Sequence, residues 1–472
     1  MRKSKLLELL RTFDAHEWHR FNDFIASPYH NKNEAVSRMF HFIKGQAPFF
    51  DFSKESLSAA TFPEKKPGEA KLGAIMNLLL KLAEQFLALE SFQKEGEKQK
   101  MTALSVYSDR KLQKHYQFLY NKLHEEIDTK PVNTTVLLEK FHLEETALLN
   151  FVKKGVRRFD PSIQGAYTSL NTFYYVQLLK YTCNFLSSSE VVSGDFSASP
   201  VSKAIISMLL ASDENHPPLL EIYLSIFQTI STEEPDNDNH FEILMSLIGQ
   251  YQDKIERKEM REIFLFAINF CAKKVRRGIK KYTPLVLKIY EDGIRSGALF
   301  ENGYLSHWTY TNVVKLGLVQ KKFKWTEDFI HLYKEDLPPN SYSDAFHFNL
   351  ADLFFYQGNY NEVLSHLHQL QFSDPYYKLG SRIILIKTFY EMDEMESLLS
   401  LLASFSVFLK RNKEISPAHQ KTCLNFCKLL YQILKHNQKK WGKLVHEIKT
   451  IQPLAERAWL LKICERTAHL HA

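Results

Sequence analysis

Few residues in this sequence stand at spacings that chemistry can use. His16-Glu17-Trp18-His19 comes nearest to the His-Glu-x-x-His pattern of zinc hydrolases. It is one residue short, so its histidines miss the shared helical face that a zinc ion needs. His124 and Asp128 stand at i and i+4, as do Cys423 and Cys427. Each pair shares a face, as half a metal or redox site would. Around the cysteines, however, Leu424, Phe426 and Leu430 read as a core stripe in which thiols serve as small apolar residues. His366 and His368 fall on opposite sides of a helix, and His469 and His471 fall in a last turn expected to fray.

Nucleotide and acyl-transfer motifs are missing. No Gly-x-Gly occurs. Gly68 and Gly73 have P-loop spacing, but Ala74-Ile75 stand where Lys-Ser/Thr is required. Gly293-Ile294-Arg295-Ser296-Gly297 puts its serine one place too late for a nucleophile elbow. The expectation is a protein without catalytic residues, metal or cofactor; an enzyme with an unrecognised site is the third-ranked reading.

Charge offers another candidate. Lys153, Lys154, Arg157 and Arg158 surround Gly155. Lys273, Lys274, Arg276, Arg277, Lys280 and Lys281 surround Gly278 with no acid among them. Both clusters fall at expected helix C-termini, where cations offset the helix dipole. The same groups could hold a nucleic-acid backbone, and a net charge of +7 allows that without requiring it. The stretch 231–239, with Glu233, Glu234, Asp236 and Asp238 around Pro235, reads as a solvated acidic turn.

The elements that position these residues are helical. Gly and Pro together make up about 7% of 472 residues, against a usual ~12%. That argues against sandwiches, barrels and dinucleotide-binding folds, which need frequent turn glycines. Asp14 caps a helix to about Ala26, and Asn33 caps a second to about Lys44. Residues 45–68 read as a connector. Long helices are predicted over 69–93, 99–127, 134–155 and 163–187, and 217–300 reads as alternating helices and short turns. Further helices are predicted over 417–436 and 453–468, the last with Pro453 in its first turn. The polar stretch 187–200 divides the chain into an N-terminal helical domain, 1–195, and a repeat domain, 196–472.

Residues 344–377 carry the clearest pattern, DAFHFNLADLFFYQGNYNEVLSHLHQLQFSDPYY. Over 34 residues it resembles a tetratricopeptide repeat. Ala351 takes the family's small position, with Leu350 and Phe354 at its packing positions. Gly358 takes the inter-helix turn, Tyr360, Val363, Leu367 and Leu370 the second helix, and Asp374-Pro375 the close. His347 stands where an aromatic is usual and Val363 where a small residue is usual, which implies wider helix spacing. A step of 35 relates Trp325, Tyr360 and Met395, so degenerate neighbours extend the pattern over about 306–411. The chain as a whole also resembles uncharacterised bacterial helical-repeat proteins through Ser27-Pro28-Tyr29-His30-Asn31-Lys32-Asn33, Arg411-Asn412-Lys413 and Pro453-Leu454-Ala455-Glu456-Arg457, a likeness that brings no activity.

The resemblance implies an all-α solenoid with a concave groove. Its outward positions are Phe348, Asp352, Phe355 and Tyr356, with Asn349 the one residue suited to clamp a peptide carboxylate. The function expected is non-catalytic binding of a protein or peptide partner, with nucleic acid the alternative partner through the basic helix ends. Glu8 interrupts the apolar run after Met1, and Leu398 to Leu409 is too short for a span, so neither a signal peptide nor membrane association is expected. Five scattered cysteines suggest a reducing compartment, the cytoplasm.

Overall fold

The computed structural model describes residues 4–64, 69–155, 158–188, 199–212, 215–232, 236–371, 375–412, 415–435 and 441–470. The described residues are all-α apart from one two-stranded hairpin. They form two compact units, 1–130 with 134–175, and 131–133 with 176–472. The boundary expected between 195 and 196 lies outside the described residues; the contacts divide the chain at Tyr175 and Val176.

In the first unit, α1 (Lys5–Leu10), α2 (Ala15–Ala26), α3 (Glu34–Gly45), α4 (Lys54–Thr61) and α5 (Glu69–Lys94) share one core. Asp14 caps α2 in a reciprocal box with Glu17, which therefore serves helix initiation and not metal chemistry. Asn33 caps α3. Asn31 ties this corner by donating to Ile25 O (3.1 Å) and Ser37 Oγ (3.0 Å), giving the Ser27–Asn33 segment a structural task. Phe21 lies centrally, with ring centroids 5.4 Å from Phe13 and 5.1 Å from both Phe40 and Phe86. The connector expected over 45–68 contains α4, whose two apolar turns are too short to show a period.

Within α5, Ala70–Lys94 is long and apolar enough to cross a membrane, with mean hydropathy 1.5, contrary to the expectation that no segment would pass that test. Its Leu72, Ile75, Leu79, Leu82, Ala83 and Phe86 stripe packs into the core. A second core joins α6 (Gly96–Asp109), α7 (Gln113–Thr129) and α8 (Thr134–Lys153) around Leu104, Leu123 and Leu143. The single helix expected over 99–127 is thus two. The long helix α9 (Ser162–Ser188) passes from the first unit into the second.

In the second unit, α10 (Pro200–Ala211) precedes successive helix pairs: α11 (Pro218–Ser231) with α12 (Asp236–Tyr251), and α13 (Arg257–Arg276) with α14 (Tyr282–Arg295). Strands β1 (Phe300–Glu301) and β2 (Tyr304–Leu305) turn at Asn302-Gly303, both with positive φ. Then come α15 (His307–Val319) with α16 (Phe323–Leu332), α17 (Tyr342–Gln357) with α18 (Tyr360–His368), and α19 (Pro375–Glu391) with α20 (Met395–Arg411). The first helices α15, α17 and α19 pack in series. Glycines permit two close approaches. A Cβ on Gly317 of α15 would lie 2.3 Å from Thr326 Oγ1 of α16, and one on Gly380 of α19 would lie 2.7 Å from Phe348 Cε2 of α17.

Finally α21 (Pro417–Leu434), α22 (Trp441–Thr450) and α23 (Arg457–Leu470) close a core with α19 and α20. Pro453 lies in the turn ahead of α23, outside the first helical turn where it was expected.

One turn recurs. At the ends of α6, α13, α15, α17 and α19, a residue of positive φ is followed by an N–H that donates to the carbonyl five residues back. The positive-φ residues are Lys111, Gly278, Lys321, Gly358 and Asp393. The bonds run from Leu112 to Tyr107 (2.9 Å), Ile279 to Lys274 (3.1 Å), Lys322 to Gly317 (3.0 Å), Asn359 to Phe354 (2.9 Å) and Glu394 to Phe389 (2.9 Å). These are Schellman caps, which satisfy the orphan carbonyls of a helix end and reverse the chain. Only two of the five place glycine where the left-handed conformation is free of a Cβ penalty. Lys321→Gly and Asp393→Gly should therefore each raise stability by about 0.5–1 kcal/mol, and Gly358→Ala should lower it by about 1 kcal/mol, measured by urea denaturation. Changes of the opposite sign would mean that these residues do not hold the left-handed turn.

Candidate interaction surfaces

The five groove positions lie on α17, which has neighbours on several sides. Phe348 is buried, its ring 5.1 Å from that of Tyr377. Asn349 is fully buried and donates to Thr311 Oγ1 (3.1 Å) and Ala345 O (2.7 Å). Asp352 is buried too. These three serve packing between successive first helices and are not on an open surface, which corrects their expected placement. Phe355 is half-buried against the core of α19 to α23, and Tyr356 remains 43% exposed.

An ionic knot holds this face. Lys387 of α19, 3% exposed at its side chain, donates to Glu456 Oε2 at 2.8 Å, and its Nζ lies 4.3 Å from the Phe355 ring centre. Burial pushes the Asp352 carboxyl above its ordinary range, although the Lys387 and Lys315 cations oppose the shift. Burial acts on Glu456 in the same sense, but there the Lys387 ammonium outweighs it and holds the carboxyl low. Desolvation works against the Lys387 charge, yet Glu456 and Asp352 together raise its pKa. Glu456 belongs to the Pro453–Arg457 segment, so this stretch brings the chain's own carboxylate onto the expected groove. Beside it, Arg457 donates to the carbonyls of Ile448, Lys449 and Ile451, and Glu391 accepts from Trp459 Nε1 (2.9 Å) and Arg466.

The departure at His347 has a partner. Its Nδ1 lies 2.9 Å from His366 Nδ1, and Phe354 stacks on His366. Burial lowers both imidazole pKa values, with His366 adding to the effect on His347. One neutral ring therefore donates to the other.

The basic cluster at Gly278 meets the acidic turn. Asp238 of α12 accepts from Lys274 (3.1 Å), Lys281 (2.5 Å) and the Tyr282 hydroxyl, and Asn237 accepts from Lys274 at 3.0 Å. Lys274 is buried, whereas Arg276, Arg277, Lys280 and Lys281 are exposed and Lys273 half-buried. A cleft of about 800 Å³ is lined by Lys273, Lys274, Arg276 and Arg277 with Thr229 and Asn269. Glu233, Glu234 and Pro235 lie outside the described residues. In the first unit, Lys153 pairs with Asp109 at 2.6 Å, and Lys154 and Arg158 border a cavity of about 490 Å³; Arg157 lies outside the description.

The other candidates are dispersed. Burial pushes the Cys423 and Cys427 thiols up to about 11 and about 12, which keeps them protonated in the core. His124 Nδ1 lies 3.0 Å from Asp128 and its Nε2 3.6 Å from Glu144 Oε1. Among the described residues, no three or more His, Cys, Asp or Glu side chains are grouped to hold a metal ion. Sequence reading missed Glu456, whose partner is 69 residues away, and Glu259, buried under Lys180 (2.8 Å) and the Tyr223 hydroxyl. Neither pair has a local spacing signal.

Compared with models of protein families, with curated proteins and with solved structures, the chain finds no match.

Asp238 is the most testable of these contacts. Burial raises its pKa, but bonds from Lys281, Tyr282 and Lys274 outweigh that and lower it from 3.8 to about 2. A lowered carboxylate pKa adds stability above its unfolded value and loses it as pH falls through the folded one. Asp238→Asn should cost about 2 kcal/mol at pH 7, and the difference from wild type should vanish between about pH 4 and pH 2 in urea titrations. A difference independent of pH would remove the ionic account.

Proposed function

We propose that α13 to α20 form a solenoid of tetratricopeptide type and that the protein is a non-catalytic scaffold that binds a protein or peptide partner. The observation that carries this reading is the serial packing of α15, α17 and α19, each joined to its second helix by the same left-handed cap. Close packing along these helices supports it: a Cβ on Gly317 of α15 would meet Thr326 of α16, and Ala351 of α17 is fully buried. Five unpaired, buried thiols support a cytoplasmic setting.

With Phe348, Asn349 and Asp352 packed inside, partner contact falls to Tyr356 and the accessible edge of Phe355. Such a surface favours an apolar or aromatic side chain on the partner. Wild-type and Tyr356→Ala proteins should be compared as baits by quantitative affinity capture. The expected result is loss of at least one specific partner by the variant with an unchanged melting curve; identical capture would exclude this surface.

Nucleic acid is the second reading, favoured by the cleft that Lys273, Lys274, Arg276 and Arg277 line. It is weakened by Asp238, which partly neutralises Lys274 and Lys281. Labelled oligonucleotides should then shift at low salt and stop shifting on Arg276→Glu with Arg277→Glu. No shift with the wild type rejects this reading.

A further inference from the structure

The cavity of the first unit is built around a carboxylate that lacks a cation. It encloses about 490 Å³, within the range of roughly 300–1,000 Å³ usual for small-molecule sites. Its walls come from α7, α8 and the start of α9, and every residue lining it belongs to the first unit. Glu144 of α8 is 8% exposed there. Among the described residues no lysine or arginine pairs with it. His124 Nε2 stands 3.6 Å away, beyond hydrogen-bond reach, and the other ring nitrogen faces Asp128 at 3.0 Å. A buried charge is costly unless an ionic partner offsets its desolvation.

The enclosure of Glu144 is specific. A Cβ on Gly165 of α9 would lie 2.6 Å from Glu144 Oε2. Glycine weakens a helix, so this close approach is what the position serves.

A second group in the same wall lacks a partner. Tyr116 of α7 is 3% exposed, and its hydroxyl has no hydrogen bond among the described residues. Buried polar groups are rarely left so. The Tyr116 and Tyr120 rings are 6.1 Å apart and 12° from parallel. Burial, with the Glu144 carboxylate beside it, pushes the Tyr120 hydroxyl up to about 12 and moves Tyr116 in the same sense. Both phenols therefore stay neutral, with lone pairs for an N–H donor.

The opposite end carries the other sign. Lys154 and Arg158 are exposed on the rim, and Asp160 beside them is committed to the Ser162 N–H at 3.0 Å. Glu144 and Lys154 are ten residues apart on one side of α8 and its final turn, about 15 Å along the axis. An occupant thus needs a cation at one end and an acid at the other. A guanidinium fits the inner end better than an ammonium does. Its planar fork of N–H groups matches a carboxylate, keeps donors for the phenols and stacks on aromatic rings.

We infer that this cavity binds a free guanidino amino acid, its guanidinium on Glu144 beside Tyr116 and Tyr120 and its carboxylate toward Lys154 and Arg158. The site lies in the first unit and does not rest on the groove reading.

Calorimetric titration of the full chain tests it. L-Arginine should bind with a micromolar Kd, and L-citrulline, its uncharged isostere, should not bind. Glu144→Gln should weaken arginine binding by about 30-fold or more. Nα-acetylarginine amide stands for an arginine inside a protein. It should bind more weakly than free arginine, by up to about fivefold, because it has no carboxylate for the exposed cations. A wild type without measurable binding at millimolar arginine overturns the inference. So does citrulline binding as tightly as arginine, affinity that survives Glu144→Gln, or the amide binding as tightly as the free amino acid. Should Glu144→Gln fail to fold, Gly165→Ala decides. It keeps the carboxylate but displaces it, so arginine binding should weaken while the helical circular dichroism stays unchanged. Unchanged affinity in Gly165→Ala contradicts the site.

Discussion

A helix can be stacked on the next only if its last carbonyls are satisfied and its chain turns back within two or three residues. Five helix ends in this protein meet that demand with the same device, a left-handed residue followed by a long backward hydrogen bond. The packing of α15, α17 and α19 follows from it, because each reversal returns the chain in time for the next pair. Where glycine is missing, at Lys111, Lys321 and Asp393, surrounding contacts hold the strained conformation.

Charge is used in the same internal way. The basic helix end at Gly278 and the acidic stretch that opens α12 look like separate surface features in the sequence, yet Asp238 joins them. Lys387 is likewise enclosed between Asp352 and Glu456. Groups that could recognise a ligand are thereby partly turned to holding helices together. Among the described residues, Tyr356 on α17 and the basic side chains Arg276, Arg277 and Lys280 remain exposed.

The helices were legible where local signals existed. Asp14, Asn33 and Gly358 announce their caps and turn, and the stripe from Leu72 to Phe86 shows its period. The break at Lys111 was not legible, because lysine gives no warning of a left-handed turn. Nor was the short helix α4. At the groove, the repeat pattern placed α17 correctly but could not tell which of its faces would be enclosed. The resemblance implied that Phe348, Asn349 and Asp352 belong to the groove, but a helix flanked by first helices on both sides has few outward positions left, and all three are buried. Glu456 was beyond reach for another reason: its role depends on a contact made across 69 residues, and sequence period carries no information at that range.

The recurring cap is the claim on which all of this depends, and amide hydrogen exchange examines it directly. The N–H groups of Ile279, Lys322, Asn359 and Glu394 close the four caps of the second unit. They should exchange slowly, at rates close to those of the helix interiors beside them. Fast exchange at these four amides, like that of open loops, would contradict the account.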